Sequence, residues 1–196
     1  MITPIESYNV EGHEIFVKRE DLACKSPGPP FAKVRGLEPV IKSLMSKSIN
    51  TVGYMETAIS MGGWGVAYFC KKFGMKSVIF MPKYSELRHN QKSQIKKWEE
   101  FGSEVVGIER PNHQKINFYV ARKLLSENYD NAFMLPLGLS FQETVEAVSS
   151  QITNEDSKEL FDGTIISCVG SGTMMSGVIN GLSKLGRKTQ CIGVQV

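Results

Sequence analysis

Cysteine and histidine are scarce in these 196 residues, four of the one and three of the other. Cys24, Cys70, Cys168 and Cys191 form no C-x-x-C pair, and His13, His89 and His113 are equally scattered. That spacing excludes the usual zinc sites. Three of the cysteines sit in apolar segments, where a reduced thiol packs as a small hydrophobe. Long apolar runs are missing as well: no stretch approaches the roughly 20 residues of a membrane span. Met1 to Tyr8 shows no basic lead into an apolar signal core, and the two absences together predict a cytoplasmic protein. Neither sign of charge dominates, with 23 Lys plus Arg against 20 Asp plus Glu. The tightest basic cluster, Lys92, Lys96 and Lys97, adjoins Glu99 and Glu100 and reads as a solvated helix face, which makes nucleic acid an unlikely partner. What remains, 41% hydrophobic and 22% charged residues, is the make-up of a globular chain long enough for one full domain or two small ones.

From Thr51 onward short β-rich runs alternate with longer amphipathic ones, the pattern of βαβ units. Strands are predicted at 51–55, 77–81, 104–108, 132–135, 164–169 and 191–196. Helices fall at 62–73, 90–101, 114–128 and 141–152, with another from the glycine-rich loop through Leu185. Gly74 and Gly102 stand where a helix stops, and 153–159 is a polar connection. The strands are apolar on both faces, as in parallel sheets covered by helices, so the fold class is α/β. Before them come a strand at 14–18, an irregular stretch at 26–30 and a helix at 33–45.

Three loops place glycines or polar groups where a ligand binds in open α/β sheets, beyond the carboxyl ends of strands. The first, KREDLACKSPGPPFAKVRG, ends in Phe31-Ala32-Lys33 at a helix start; from local sequence Lys33 reads as a solvated side chain. The second, ETAISMGGWG, carries Gly62, Gly63 and Gly65. It is either a tight turn or a place where helix N-terminal amides meet an anion. The third, GSGTMMSG, lacks the lysine of a P-loop and the spacing of a dinucleotide loop. It suits a small phosphate cup of amides and the Ser171 and Thr173 hydroxyls, with a structural turn as the alternative.

In order and spacing, KRED with its Lys-x-Arg helix start, the glycine-rich turn ending in GVA, and G-S-G-T before a helix resemble the tryptophan synthase β-like superfamily, fold type II of the pyridoxal-phosphate enzymes. Cysteine synthase, threonine synthase and the aminocyclopropane carboxylate deaminase group belong to it. The resemblance implies pyridoxal 5'-phosphate as cofactor, carried as a Schiff base on Lys33, which then serves as a proton shuttle. It implies a phosphate cup at Gly170, Ser171, Gly172 and Thr173. The loop from Gly62 to Gly65 would hold the cofactor's phenolic oxygen at Gly63 and the substrate carboxylate beside it, with hydroxyls from Thr57 and Ser60.

Departures accompany the match. Gly63 stands where the family has Asn or Gln, Phe31 and Pro30 replace a common Ser and Gly, and Trp64 is bulky enough to stack on a ring or fill space. The resemblance also implies a small domain at 47–152 that is complete, and a large cofactor-phosphate domain, 1–46 plus 153–196, that is truncated. An open sheet edge at Val196 would then be covered by a second copy, as a homodimer, or by a second polypeptide completing the large domain. Two functions compete: a lyase or transferase acting on an amino-acid-like substrate by α,β-elimination or β-replacement, and a non-catalytic relative used for binding, assembly or regulation. An unrelated α/β phosphosugar or nucleotide binder is the third reading.

Overall fold

A short run rich in β-branched and aromatic residues suits a strand buried on both faces inside a sheet, and TVGYM and the SVIFMP of KSVIFMP are such runs. In the computed structural model, which describes residues 2–109, 113–153 and 162–195, they form the centre of a four-stranded parallel sheet. Contacts divide the chain into two units, Leu37–Leu139 and the pair of segments Met1–Gly36 and Ser140–Val196.

In the Leu37–Leu139 unit the strands are β3 (Thr51–Met55), β4 (Lys76–Pro82), β5 (Glu104–Ile108) and β6 (Ala132–Met134), in the order β5-β4-β3-β6. Met55, Val78 and Phe80 meet Ala121 and Leu125 of α4 (Gln114–Asn128) in a continuous core. By alternation Val52, Tyr54, Ile79 and Met81 point to the opposite face, where α2 (Gly62–Lys72) packs on β3 and β4. Trp98 of α3 (His89–Glu100) is wholly buried. Gly74 and Gly102 stop α2 and α3 at φ 70° and 80°, the left-handed geometry expected of helix ends. Lys92 and Lys96 are exposed. Lys97 pairs with Glu100 at 2.9 Å and lies over the Trp64 ring, 5.5 Å from its centre.

The other unit opens with a hairpin, β1 (Ile5–Val10) against β2 (His13–Lys18), turned at Glu11 and Gly12 with both φ positive. β1 was not expected from the sequence. Its residues are mostly exposed, so no buried alternation marks it. The helix expected at 33–45 is α1 (Val34–Ser46), which crosses the division between the units.

Later in this unit α5 (Gln142–Ser149) packs on α6 (Thr173–Lys184), and β7 (Thr164–Val169) runs parallel to β8 (Gln190–Gln195). These strands depart from the expectation of two covered faces. Ile166, Ile192 and Val194 are exposed, because among the described residues α6 is the helix that packs on the pair. Most of the polar connection expected at 153–159, and the end of the last strand at Val196, lie outside the described residues. No helix among those described is long and apolar enough to cross a membrane.

Candidate functional site

Lys33 lies just before α1, and an ion pair two residues on fixes that helix start. Arg35 donates from Nε and Nη2 to the two oxygens of Glu20, at 2.8 and 3.0 Å. Thr3 Oγ1 donates to the same carboxylate. The Arg35 side chain is 8% exposed and that of Glu20 19%, so this two-point pair is worth more than a surface bridge. The KRED segment therefore has a physical role: its glutamate grips Arg35 and sets where Lys33 emerges.

Lys33 is half-buried, and its Nζ donates to Ser171 Oγ at 3.1 Å. A chain of hydroxyls continues from there: Ser171 Oγ lies 2.9 Å from Thr173 Oγ1, which donates to Ser140 Oγ at 3.1 Å. Gly172 caps α6 with φ 80°, a left-handed conformation that only glycine adopts without strain, and no side chain caps the helix. A cavity of about 70 Å³ opens here, lined by Lys33, Cys168 and the five residues from Gly170 to Met174. A Cβ built on Gly170 or Gly172 would meet nothing within 4 Å. Among the described residues no carboxylate lines this cavity. Its donors are an ammonium, two hydroxyls and the free amides of a helix N-terminus, a set that suits a phosphate dianion.

The loop from Glu56 to Gly63 is built differently. Glu56 follows β3 and is 2% exposed. Its Oε1 accepts from the Thr57 N–H at 2.8 Å and more weakly from Thr57 Oγ1 at 3.4 Å. Its Oε2 accepts from Ser60 Oγ at 2.8 Å and the Gly63 N–H at 3.0 Å. Burial raises the Glu56 carboxyl above its ordinary range, and these donors pull the other way without cancelling it. Ala58, also buried, takes φ 60°, a conformation costly for a residue with a Cβ. Tyr84 Oη and Gln91 Nε2 both donate to Thr57 O, at 3.2 and 3.4 Å, and brace the loop.

The two glycines at the start of α2 make room for neighbours in the chain. A Cβ on Gly62 would lie 2.8 Å from Tyr54 Oη and 2.9 Å from Glu56 Oε2. One on Gly63 would lie 2.6 Å from Trp98 Nε1. Trp64 projects beneath Lys97, and its indole N–H is buried without a hydrogen-bond partner among the described residues.

Of the residues singled out in the sequence, Lys33, Gly170, Ser171, Gly172 and Thr173 line one cavity. Thr57, Ser60 and Gly63 converge on the Glu56 carboxylate, and Gly62 abuts it. Sequence reasoning gave no role to Glu56, Trp98 or Ser140. An acid directly after a strand and seven residues before a helix-start glycine is a signal for the first. Nothing local marks the other two.

These features define a cofactor-binding α/β chain, and comparison with known proteins specifies the class. The chain belongs to the pyridoxal-phosphate dependent enzymes, whose family model matches residues 2–196; its fold is type II and its cofactor pyridoxal phosphate. It is 30% identical over 186 residues to the glycyl-dTMP PLP-dependent decarboxylase of Pseudomonas phage M6, an alignment that covers 94% of this chain and 66% of that protein. Among solved structures, the fold matches an ACC deaminase homologue at a TM-score of 0.77 and 21% identity, covering 100% of this chain and 60% of that one. It matches an L-serine ammonia-lyase from Rhizomucor miehei at 0.70 and 19%, again covering 100% and 60%. The chain thus spans about two thirds of the curated relative's length.

Proposed function

We propose that this chain is the lysine- and phosphate-binding part of a lyase that breaks a bond at the α-carbon of an amino-acid-like group. One observation carries the reading: Lys33 Nζ and the hydroxyls of the 170–173 cup share one cavity, with no carboxylate among the described residues that line it. The Ser171 and Thr173 hydroxyls and the α6 amides hold the phosphate, each donor aimed at a charge that stays fixed through the reaction. Lys33 holds the cofactor at Nζ and takes or returns a proton at the substrate α-carbon. Bound pyridoxal phosphate supplies the electron sink for the charge left at that carbon. Thr57 and Ser60 orient the substrate.

The finer reading is α,β-elimination or β-replacement of the tryptophan synthase β or cysteine synthase type. The phage relative, named as a decarboxylase acting on a glycyl nucleotide, adds loss of an α-carboxylate to the reactions to be tried. A cytoplasmic location and association with a second copy complete the proposal; the exposed Ile166, Ile192 and Val194 support the latter, and a monomeric mass in light scattering would refute it.

The test is spectroscopic. Protein mixed with pyridoxal phosphate should gain a visible band that borohydride fixes as a mass increment on the peptide bearing Lys33, and Lys33→Ala should lose both. A band that survives the substitution refutes the assignment. A band without α-proton exchange on any amino acid gives the protein over to the non-catalytic reading.

A further inference from the structure

The glycine-rich start of α2 offers donors of the kind that usually receive an external anion, and in this chain two of them are engaged from within: the Gly62 N–H donates to Ser60 Oγ and the Gly63 N–H to Glu56. Two backbone N–H groups and a hydroxyl converge on the Glu56 carboxylate at 2.8 to 3.0 Å. That side chain is almost wholly buried. Its surroundings are fixed by neighbours in the chain: Glu56 N donates to Phe80 O at 2.8 Å, Tyr54 Oη and Glu56 Oε2 both stand against Gly62, and Thr57 O accepts from two side chains. Glycine at 62 and 63 leaves space that Glu56, Tyr54 and Trp98 fill. A second carboxylate brought to the same donors would displace a built-in one or share a site with it, and like charges at that distance repel strongly.

We propose that Glu56 is a specificity-determining residue: it occupies the anion site at the start of α2, so that this loop does not hold a substrate carboxylate. This rests on the reading that Thr57 and Ser60 face the substrate, and it narrows the substrate class. The group presented to this loop is an amine, a hydroxyl or a neutral carbonyl, and the carboxylate of an amino-acid substrate is left unheld here. The filling does not depend on the proton, because a protonated carboxyl still accepts from the same donors. Among the described residues, the titratable groups that feel Glu56 are Tyr54 and Tyr84, both pushed upward by burial and by the Glu56 charge, and no Lys or Arg is among its partners.

The experiment needs no cofactor and no turnover, so its outcome stands apart from that of the Lys33 band. Amide resonances of Thr57 and Gly63 are followed in the whole labelled protein, with sodium acetate as probe and chloride as control. In the wild type both should shift together as Glu56 titrates and stay still on addition of acetate. In Glu56→Ala the pH shift should vanish and acetate should move both resonances, binding about tenfold tighter or more, as hydrogen bonds to a charged acceptor imply. Acetate acting on these amides in the wild type overturns the proposal. So does a folded Glu56→Ala that ignores acetate. Should that variant fail to fold, Glu56→Gln decides: it keeps the shape and one acceptor oxygen. Loss of the joint pH shift supports the assignment, and a shift that persists refutes it.

Discussion

Two strand-to-helix turns in this chain carry glycines, polar side chains and free amides, yet one is full and the other open. At the start of α2, Gly62 and Gly63 clear space for Tyr54, Glu56 and Trp98, and a buried carboxylate takes the donors. At the start of α6, Gly170 and Gly172 leave space in which a built Cβ meets no atom of the other described residues within 4 Å, and the donors face a cavity shared with Lys33. Glycine before a helix therefore has two physical meanings, close packing of the chain on itself and close approach of a ligand. An acid at the end of the preceding strand separates them. Glu56 follows β3 directly, whereas Val169 and Gly170 follow one another at the end of β7.

The comparison breaks most easily at the hydroxyls. Ser171→Ala combined with Thr173→Val removes two donors from the open turn. Pyridoxal-phosphate affinity, read by fluorescence titration, should fall by about tenfold or more, since hydrogen bonds to charged groups are worth roughly 1.5–3 kcal/mol. Ser60→Ala removes a donor from the full turn, and there the affinity should change far less than the cup variant. An equal loss in both would mean that the two turns serve the phosphate alike.

Alanine at the glycines gives the next largest effect. Gly63→Ala drives a methyl into the buried Trp98 indole and should cost about 1–3 kcal/mol of stability in urea unfolding, the usual penalty of overpacking. Gly170→Ala meets nothing within 4 Å and should stay within about 0.5 kcal/mol of wild type, while its methyl enters the cavity and weakens the cofactor. Matching stability losses would erase the distinction between packing glycines and ligand glycines.

Much of this was legible in the sequence, for reasons that differ between the two units. Strands β3 and β4, buried, and β5, mostly half-buried, and the helices between them announced themselves because their apolar residues recur in regular order, and Gly74 and Gly102 marked helix ends that left-handed geometry explains. The hairpin strand β1 stayed hidden because its side chains are mostly exposed and carry no pattern. The residues of the cup were legible as a motif, since amides and hydroxyls at a helix start are local in the chain. The state of the α2 turn was not. Trp98 reaches Gly63 from a different helix, and the burial of Glu56 follows from the packing of β3, β4 and α2, which no local window contains. Glu20 shows the same limit: its grip on Arg35, fifteen residues away, explains a motif that sequence could only match.

The smallest effect is also the sharpest probe of how the full turn is balanced. Burial opposes the charge on Glu56 while two N–H groups and two hydroxyl contacts favour it, and burial prevails, so its carboxyl holds a proton to higher pH than in the unfolded chain. A group of this kind contributes stability that is fully present below the ordinary carboxylate range and is lost as pH rises through its folded value. The surface carboxylates act in the opposite sense: hydrogen bonds lower Glu6, Asp21, Glu38, Glu100 and Glu104, so their contribution grows with pH, though salt screens such exposed pairs. Urea unfolding of wild type and Glu56→Gln in high salt isolates the buried group, because the surface terms are common to both proteins and cancel in the difference. The stability of wild type relative to Glu56→Gln should fall as pH rises from the carboxylate range. A difference that rises instead would mean that the donors outweigh burial and hold Glu56 ionised; no slope at all would mean that the two terms balance in the fold.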